Sequence, residues 1–132
     1  MKEIVIATKN KGKIAEIKLA LKNLPIKVYG LDEFDNVPDA IEDGRSFTEN
    51  AMIKAKFYAD YLNKACLADD SGLEVYNLNG EPGIFSARYA GENATDADNN
   101  QHLLKRLETL KITDTTCCFR CVLAFVDNET SI

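Results

Sequence analysis

The sequence predicts an α/β fold in which helices flank a mixed β-sheet. Short β-branched runs alternate along the chain with segments whose apolar residues recur at helical spacing. The chain has 132 residues, of which 45% are apolar and 28% charged, and it contains only 3 prolines. That composition fits one compact domain with a sizeable core. We therefore expect residues 1–132 to form a single domain with a ligand cleft at the ends of its strands.

The first strand, helix and second strand are predicted by a change of period. Residues 3–8 form a β-branched run, whereas the apolar residues between positions 14 and 24 recur at helical spacing. Pro25 ends this helix, and residues 26–29 indicate a brief strand. Residues 32–44 are acidic, contain many turn-forming residues and show no clear period.

The second helix has the clearest start signal. Ser46 is a good N-cap, Glu49 follows three positions later as in a capping box, and an apolar stripe runs through Tyr58 to Leu62. Two short strands are predicted next, at residues 65–68 and 73–76, with an acidic bend between them.

The C-terminal region is predicted to contain a third helix and a long strand. Thr95 or Asp96 is expected to cap the helix, and residues 115–126 favour a strand. A turn at 127–129 and the start of a returning strand at 130–132 follow. Because an unpaired long apolar strand invites aggregation, we expect the natural domain to be longer than this chain or a partner to cover the edge.

Charge and hydropathy argue against several classes of protein. The net charge of −5 disfavours a nucleic-acid binder, since such binding depends on clustered cations. No apolar run approaches the ~20 residues that a membrane helix needs, and the first residues lack the layout of a signal peptide. We therefore expect a cytoplasmic protein without a nucleic-acid or membrane partner.

The cysteines do not indicate a metal site. Cys118 and Cys121 have the C-x-x-C spacing of zinc sites, but residues three apart in a strand face opposite ways. The chain has one histidine, His102, which we expect to be inert. Buried free thiols are therefore expected rather than structural zinc.

The first candidate site is the lysine-rich turn between the first strand and helix. A helix N-terminus presents free N–H groups and partial positive charge, and a glycine lets a ligand approach the backbone closely. This combination suits a polyphosphate, although a solvated turn remains an alternative because the P-loop pattern is absent. The residues of the turn are Thr8, Lys9, Asn10, Lys11, Gly12 and Lys13.

The second candidate site is acidic. Asp69 and Asp70 follow an apolar run, and the repulsion between adjacent carboxylates would be offset by a bound Mg²⁺. Ser71 is a neutral donor that could reach a phosphate, and Gly72 would allow a tight bend. Glu42 could complete the metal shell, although by itself an acidic loop residue is more often simply solvated.

Two further basic residues are weaker candidates. Lys54 lies one helical turn past Asn50, on a face that could look toward the acidic loop, but exposed helical lysines are common. Arg88 follows a Pro-Gly pair and could clamp a phosphate or pair with a nearby acid.

Taken together and in this order, these segments resemble the inosine triphosphate pyrophosphatase family. The joint match covers nearly the whole chain and is far more specific than any single motif. The matching segments are Ala7-Thr8 with Asn10 and Lys13, Phe47 with Glu49-Asn50-Ala51 and Lys54-Ala55, residues 68–73 (ADDSGL) and residues 82–89 (PGIFSARY).

The resemblance implies a two-lobed fold with a central cleft, a homodimer, and hydrolysis of ITP, dITP and XTP to the monophosphate and pyrophosphate. It implies that Asp70 is the general base and a Mg²⁺ ligand, and that Asp69 and Glu42 are further metal-site residues. It also implies that residues 8–13 bind the triphosphate, that Ser71 contacts substrate, and that Lys54 and Arg88 line the cleft. Family members extend further, so this chain is expected to lack their C-terminal third.

Two alternatives remain open at this stage. One is a Maf-like pyrophosphatase that prefers another base, and the other is a nucleotide-binding module without catalytic activity. A substrate panel separates the first, and saturable Mg²⁺-dependent ITP binding without hydrolysis would indicate the second.

Overall fold

The computed structural model describes residues 2–127. The predicted returning strand at 130–132 lies outside these residues, as does most of the predicted turn at 127–129. The described chain divides into two compact units. The first unit comprises the chain up to Asp69 and the chain from Val122 onward, and the second comprises Asp70–Cys121. No helix among the described residues has the length and hydropathy needed to cross a bilayer.

Four strands form one sheet in the order β2-β1-β3-β4, and β1 runs parallel to both of its neighbours. Helices flank the sheet, so the predicted α/β class is confirmed. The strands are β1 (Lys2–Ile6), β2 (Ile26–Gly30), β3 (Ala65–Val75) and β4 (Cys117–Val126), and the helices are α1 (Lys11–Leu21), α2 (Phe47–Leu62) and α3 (Asp96–Thr109).

The strand order places a topological switch point beside β1. The chain leaves β1 through α1 to reach β2 on one side, whereas β3 lies on the other side. Ligands of open α/β sheets bind at such points, outside the carboxyl ends of the strands. Ile6 is paired with Leu67, and Ala7 N donates to Leu67 O at 2.8 Å. Asp69 therefore lies level with the turn that follows β1.

The core of the first unit is built around small residues. Ala51 and Ala55 on α2 are fully buried, as are Val5 of β1 and Cys66 of β3. Alanines on the inner face of a helix allow close approach to a sheet, which keeps the packing dense. Ser46 caps α2 as predicted, since Ser46 Oγ accepts from Glu49 N at 3.1 Å. The predicted capping box is wrong in its second half, because Glu49 Oε2 accepts from Arg45 N at 2.7 Å rather than from Ser46 N.

The second unit is organised around α3. Thr95 caps this helix and forms a capping box with Asp98, which confirms one of the two predicted caps. The buried Asn99 donates to Ala87 O at 3.0 Å and accepts from Ala90 N at 2.9 Å. These bonds hold the irregular chain before α3 against the helix.

Two predictions about β3 and β4 are wrong. Residues 65–75 form one continuous strand rather than two strands separated by a bend. Gly72 has no positive φ, so it is compatible with extended backbone and need not mark a turn. The cysteines of β4 are not core thiols, because Cys117 and Cys121 are exposed while Cys66 is buried. A strand at the edge of a sheet leaves such alternate positions open to solvent.

Candidate active site

The turn after β1 is shaped by the side chain of Asn10. Asn10 Oδ1 accepts from Gly12 N at 3.0 Å and from Lys13 N at 3.2 Å, and Asn10 N donates to Thr8 Oγ1 at 3.2 Å. These bonds cap α1. The prediction of free N–H groups at this end is therefore wrong for Gly12 and Lys13. What the turn offers an anion is the helix dipole and its lysine side chains.

Lys13 and Asp69 form the central ion pair of the site. Lys13 Nζ lies 2.9 Å from Asp69 Oδ2, and the Asp69 side chain is only 6% exposed. A carboxylate so shielded from water requires a cation or hydrogen-bond donors close by. The strand register explains the meeting, because it places Asp69 level with the turn from which α1 starts.

Lys54 joins the acidic loop to the same strand. Its Nζ donates to Asp69 O at 2.6 Å and lies 3.2 Å from Glu42 Oε1. The Lys54 side chain is 15% exposed, so this lysine is not the exposed helical lysine of the alternative interpretation. The prediction that it faces the acidic loop is confirmed. Two lysines thus converge on Asp69, one at its carboxylate and one at its carbonyl.

The side chain of Lys9 binds the acidic segment at residues 32–44. Lys9 Nζ pairs with Asp39 Oδ1 at 2.6 Å and donates to Val37 O at 3.1 Å. The hydrogen bond that Lys9 donates to the Asp39 carboxylate raises the pKa of Lys9. Asp39 was not singled out from the sequence, where nothing distinguishes it from the other acids of residues 32–44.

A cavity of about 330 Å³ lies within the first unit beside these lysines. Its size lies at the lower end of the range of roughly 300–1,000 Å³ found for small-molecule pockets. Burial raises the pKa of Tyr58 on its wall, so this phenol stays protonated at neutral pH. The cavity is lined by Ala7, Thr8, Lys9, Leu31, Asp39, Ala40, Glu42, Lys54 and Tyr58.

The other predicted residues do not line this cavity. Lys11 is exposed at the start of α1. Asp70 and Ser71 follow Asp69 directly on β3 and belong to the second unit, and Asp70 Oδ2 is buried. Arg88 ends a 3₁₀ segment, and its guanidinium lies over the Phe85 ring at 5.2 Å.

Ser86, which sequence reasoning left without a role, braces the start of the second unit. Its Oγ accepts from Leu73 N at 2.9 Å and donates to Gly83 O at 2.6 Å. The residue stands in the matching segment at 82–89, which was the signal that could have singled it out.

The donor set fits a magnesium ion by chemistry, although it is not preassembled. Within residues 2–127 there is no group of three or more His, Cys, Asp or Glu side chains placed to hold a metal. Mg²⁺ prefers oxygen ligands and is commonly held by one or two carboxylates together with substrate phosphates. Asp70 fits that role. Asp69 and Glu42 each face a lysine, so they would have to exchange that partner to bind a metal.

Comparison with known proteins places the chain in a family. Residues 4–132 match the model of the Ham1 family. The chain belongs to the Ham1 family. The resemblance drawn from the motifs is therefore confirmed.

Curated relatives of this Ham1 chain share a name. The dITP/XTP pyrophosphatase of Geobacter sulfurreducens is 47% identical over 124 residues, which is 94% of this chain and 62% of the relative. The dITP/XTP pyrophosphatase of Coxiella burnetii is 47% identical over 129 residues, 98% of this chain and 64% of the relative. The chain thus spans somewhat less than two thirds of the length of these relatives.

Solved Ham1 structures share the fold. A HAM1 protein from Coxiella burnetii superposes with a TM-score of 0.89 at 45% identity, covering 100% of this chain and 68% of that one. The Staphylococcus aureus Ham1 protein gives a TM-score of 0.82 at 45% identity, covering 98% of this chain and 65% of that one.

Proposed function

We propose that this protein hydrolyses deaminated purine nucleoside triphosphates such as dITP, XTP and ITP to the monophosphate and pyrophosphate. The names of the relatives support this substrate class. The observation that carries the proposal is the convergence of Lys13 and Lys54 on Asp69, immediately before Asp70 on β3. Cations that meet beside the carboxyl end of β1 suit the charge of a triphosphate.

Asp70 acts in this proposal as the general base. It takes a proton from a water molecule, the water oxygen bonds to the α-phosphorus, and the bond from that phosphorus to the bridging oxygen of the β-phosphate breaks. Pyrophosphate leaves with the electron pair of that bond. Lys13 and the α1 N-terminus stabilise the charge of the leaving group. No covalent intermediate on the protein is required.

We propose Mg²⁺ as the cofactor, held by Asp70 with Asp69 or Glu42 as further donors. When bound, the ion would neutralise part of the triphosphate charge and polarise the reacting phosphoryl group. Lys13 and Lys54 would then orient the phosphates. Thr8, Ser71 and Arg88 would make further contacts to the substrate. We further propose that the protein is cytoplasmic and forms a homodimer. Sedimentation of the purified protein tests the dimer.

Replacement of the base tests the proposal. We expect Asp70→Asn to lower the rate of pyrophosphate release from dITP by ~10²–10⁴, because that is the usual contribution of a positioned base. Binding of the nucleotide is expected to remain. Asp60→Asn, an exposed carboxylate on α2, is the matched control and should behave as wild type. Undiminished release by Asp70→Asn would refute the assignment.

A substrate panel tests the base preference. Pyrophosphate release from dITP and XTP is expected to exceed release from ATP and from modified pyrimidine triphosphates, since donors aimed at O6 are left unpaired by an adenine amino group. Preference for pyrimidine nucleotides would favour a Maf-like enzyme. Saturable binding of ITP without turnover would favour the binding module.

A further inference from the structure

One face of α2 carries three polar side chains spaced four residues apart. Asn50, Lys54 and Tyr58 form this stripe, and they lie among the alanines of the buried helix face. Asn50 is 1% exposed and Tyr58 is 4% exposed. Buried polar groups are costly unless they are hydrogen-bonded. Their partners therefore indicate why they occur on an otherwise apolar face.

All three side chains bind the irregular acidic chain that precedes the helix, which we call the strap (residues 36–44). Asn50 Oδ1 accepts from Gly44 N at 2.8 Å. Lys54 pairs with Glu42. Tyr58 Oη accepts from Ala40 N at 3.2 Å and donates to Pro38 O at 3.1 Å.

The spacing of residues along α2 also matches the spacing along the strap. Each advance of four residues along α2 corresponds to a retreat of two residues along the strap. Four helical residues rise ~6 Å, and two extended residues span ~6.6 Å. The three contacts between α2 and the strap therefore stay in register. Burial confirms the alternation, because residues 40, 42 and 44 are half-buried whereas residues 41, 43 and 45 are exposed.

The strap also lies very close to the helix. A Cβ added at Gly44 would come within 2.7 Å of Asn50 Oδ1 and 2.8 Å of Glu49 Cβ. Gly44 is therefore required for close approach of the backbone rather than for an unusual φ. The strap in turn forms part of the wall of the 330 Å³ cavity, through Asp39, Ala40 and Glu42.

We propose that Asn50 and Tyr58 are positioning residues, which clamp the strap to α2 so that Glu42 and Lys54 are in place before the nucleotide binds. This inference rests on the proposed function. Glu42 lies between the two hydrogen-bonded positions, Gly44 and Ala40, so its backbone is held at the wall of the cavity. Ordering a loop at the moment of binding weakens affinity, and preorganisation removes that cost.

The test compares Tyr58→Phe and Asn50→Ala with wild type in the full-length protein. The first readout is amide exchange, which needs no substrate. Exchange across the strap is expected to rise by roughly tenfold or more, while β1 and the first half of β3 keep wild-type protection. Unchanged exchange in the strap would overturn the proposal. Should Asn50→Ala fail to fold, Tyr58→Phe decides alone.

The second readout separates positioning from a loss of folded enzyme. We expect KM for dITP to rise about five- to tenfold in each variant and kcat to stay within about twofold, because the strap is ordered again once substrate is bound. A lowered kcat at unchanged KM would indicate a structural role and overturn the proposal. Tyr76→Phe is the matched control, since Tyr76 is exposed, directly follows β3 and is not among the residues that line the cavity.

Failure of the proposed function would be distinguishable. A wild-type protein that releases no pyrophosphate from any nucleotide would refute the enzyme assignment, whereas the exchange comparison would still show whether Asn50 and Tyr58 hold the strap.

Discussion

The two units use the same ion-pair chemistry for different purposes. In the first unit, Lys13 pairs with an Asp69 side chain that is 6% exposed. In the second unit, Arg106 pairs with Glu81 at 3.3 Å, with exposed fractions of 39% and 46%, and also donates to Tyr89 Oη. The second pair fastens the chain after β3 to α3. Exposed pairs of this kind contribute little to stability, typically 0–1 kcal/mol.

Burial beside a cavity, rather than the number of charges, distinguishes the candidate site. A shielded carboxylate retains its charge at a desolvation cost that only well-placed cations offset. In the first unit, Asp69 is such a shielded carboxylate, and Lys54 and Glu42 beside it line a cavity. The pair of Arg106 with Glu81 in the second unit is open to solvent at both side chains.

The largest expected difference is in thiol chemistry. Burial raises the pKa of Cys66 in the first unit from 9.0 to about 12, so its thiolate fraction at pH 8 is roughly 10³ lower than at the ordinary value. We expect a thiol reagent to modify the exposed Cys117 and Cys121 of the second unit first, with Cys66 lagging by about that factor. Peptide mass spectrometry over time checks this order. Labelling in denaturant is the control, and early labelling of folded Cys66 would contradict the burial.

The next difference concerns activity. Lys13→Ala is expected to lower kcat/KM for dITP by about 10- to 100-fold, because it removes charge-assisted hydrogen bonds to phosphate. Arg106→Ala removes a cation from the second unit and should change kcat/KM by less than about threefold. Steady-state pyrophosphate release measures both. Equal losses in the two variants would erase the distinction between the units.

The smallest difference concerns helix caps. Asn10→Ala and Thr95→Ala each remove an N-cap and should lower the free energy of unfolding by about 1 kcal/mol, as measured by urea denaturation. Only Asn10→Ala is expected also to raise KM for dITP, since Asn10 shapes the turn next to Lys13. A rise in KM for Thr95→Ala of the same size would contradict this assignment.

Local signals in the sequence predicted the helices well. The Ser46 cap of α2 and the Thr95 cap of α3 are present as expected, because a cap depends on residues three positions apart. The signal at residues 69–72 was misleading. Two aspartates, a serine and a glycine favour a turn in isolation, but the sheet keeps them extended within β3.

The site was predicted in part. Lysines and carboxylates were identified, yet Asp69 and Glu42 were expected to face a metal, and they face Lys13 and Lys54 instead. Asn50 entered only as part of a motif and Tyr58 only as part of an apolar stripe. Their polar partners lie in the strap, which has no period from which its position could be inferred.

The order of helices and strands, the two Ser/Thr caps and the membership of the Ham1 family were determined by the sequence itself, because periodicity, capping and motif spacing act over a few neighbouring residues. The tertiary structure alone decided that Lys13 meets a carboxylate 56 positions away and that the strap runs two residues per turn along α2. Such contacts depend on strand order, register and close packing, which arise only when distant segments are brought together.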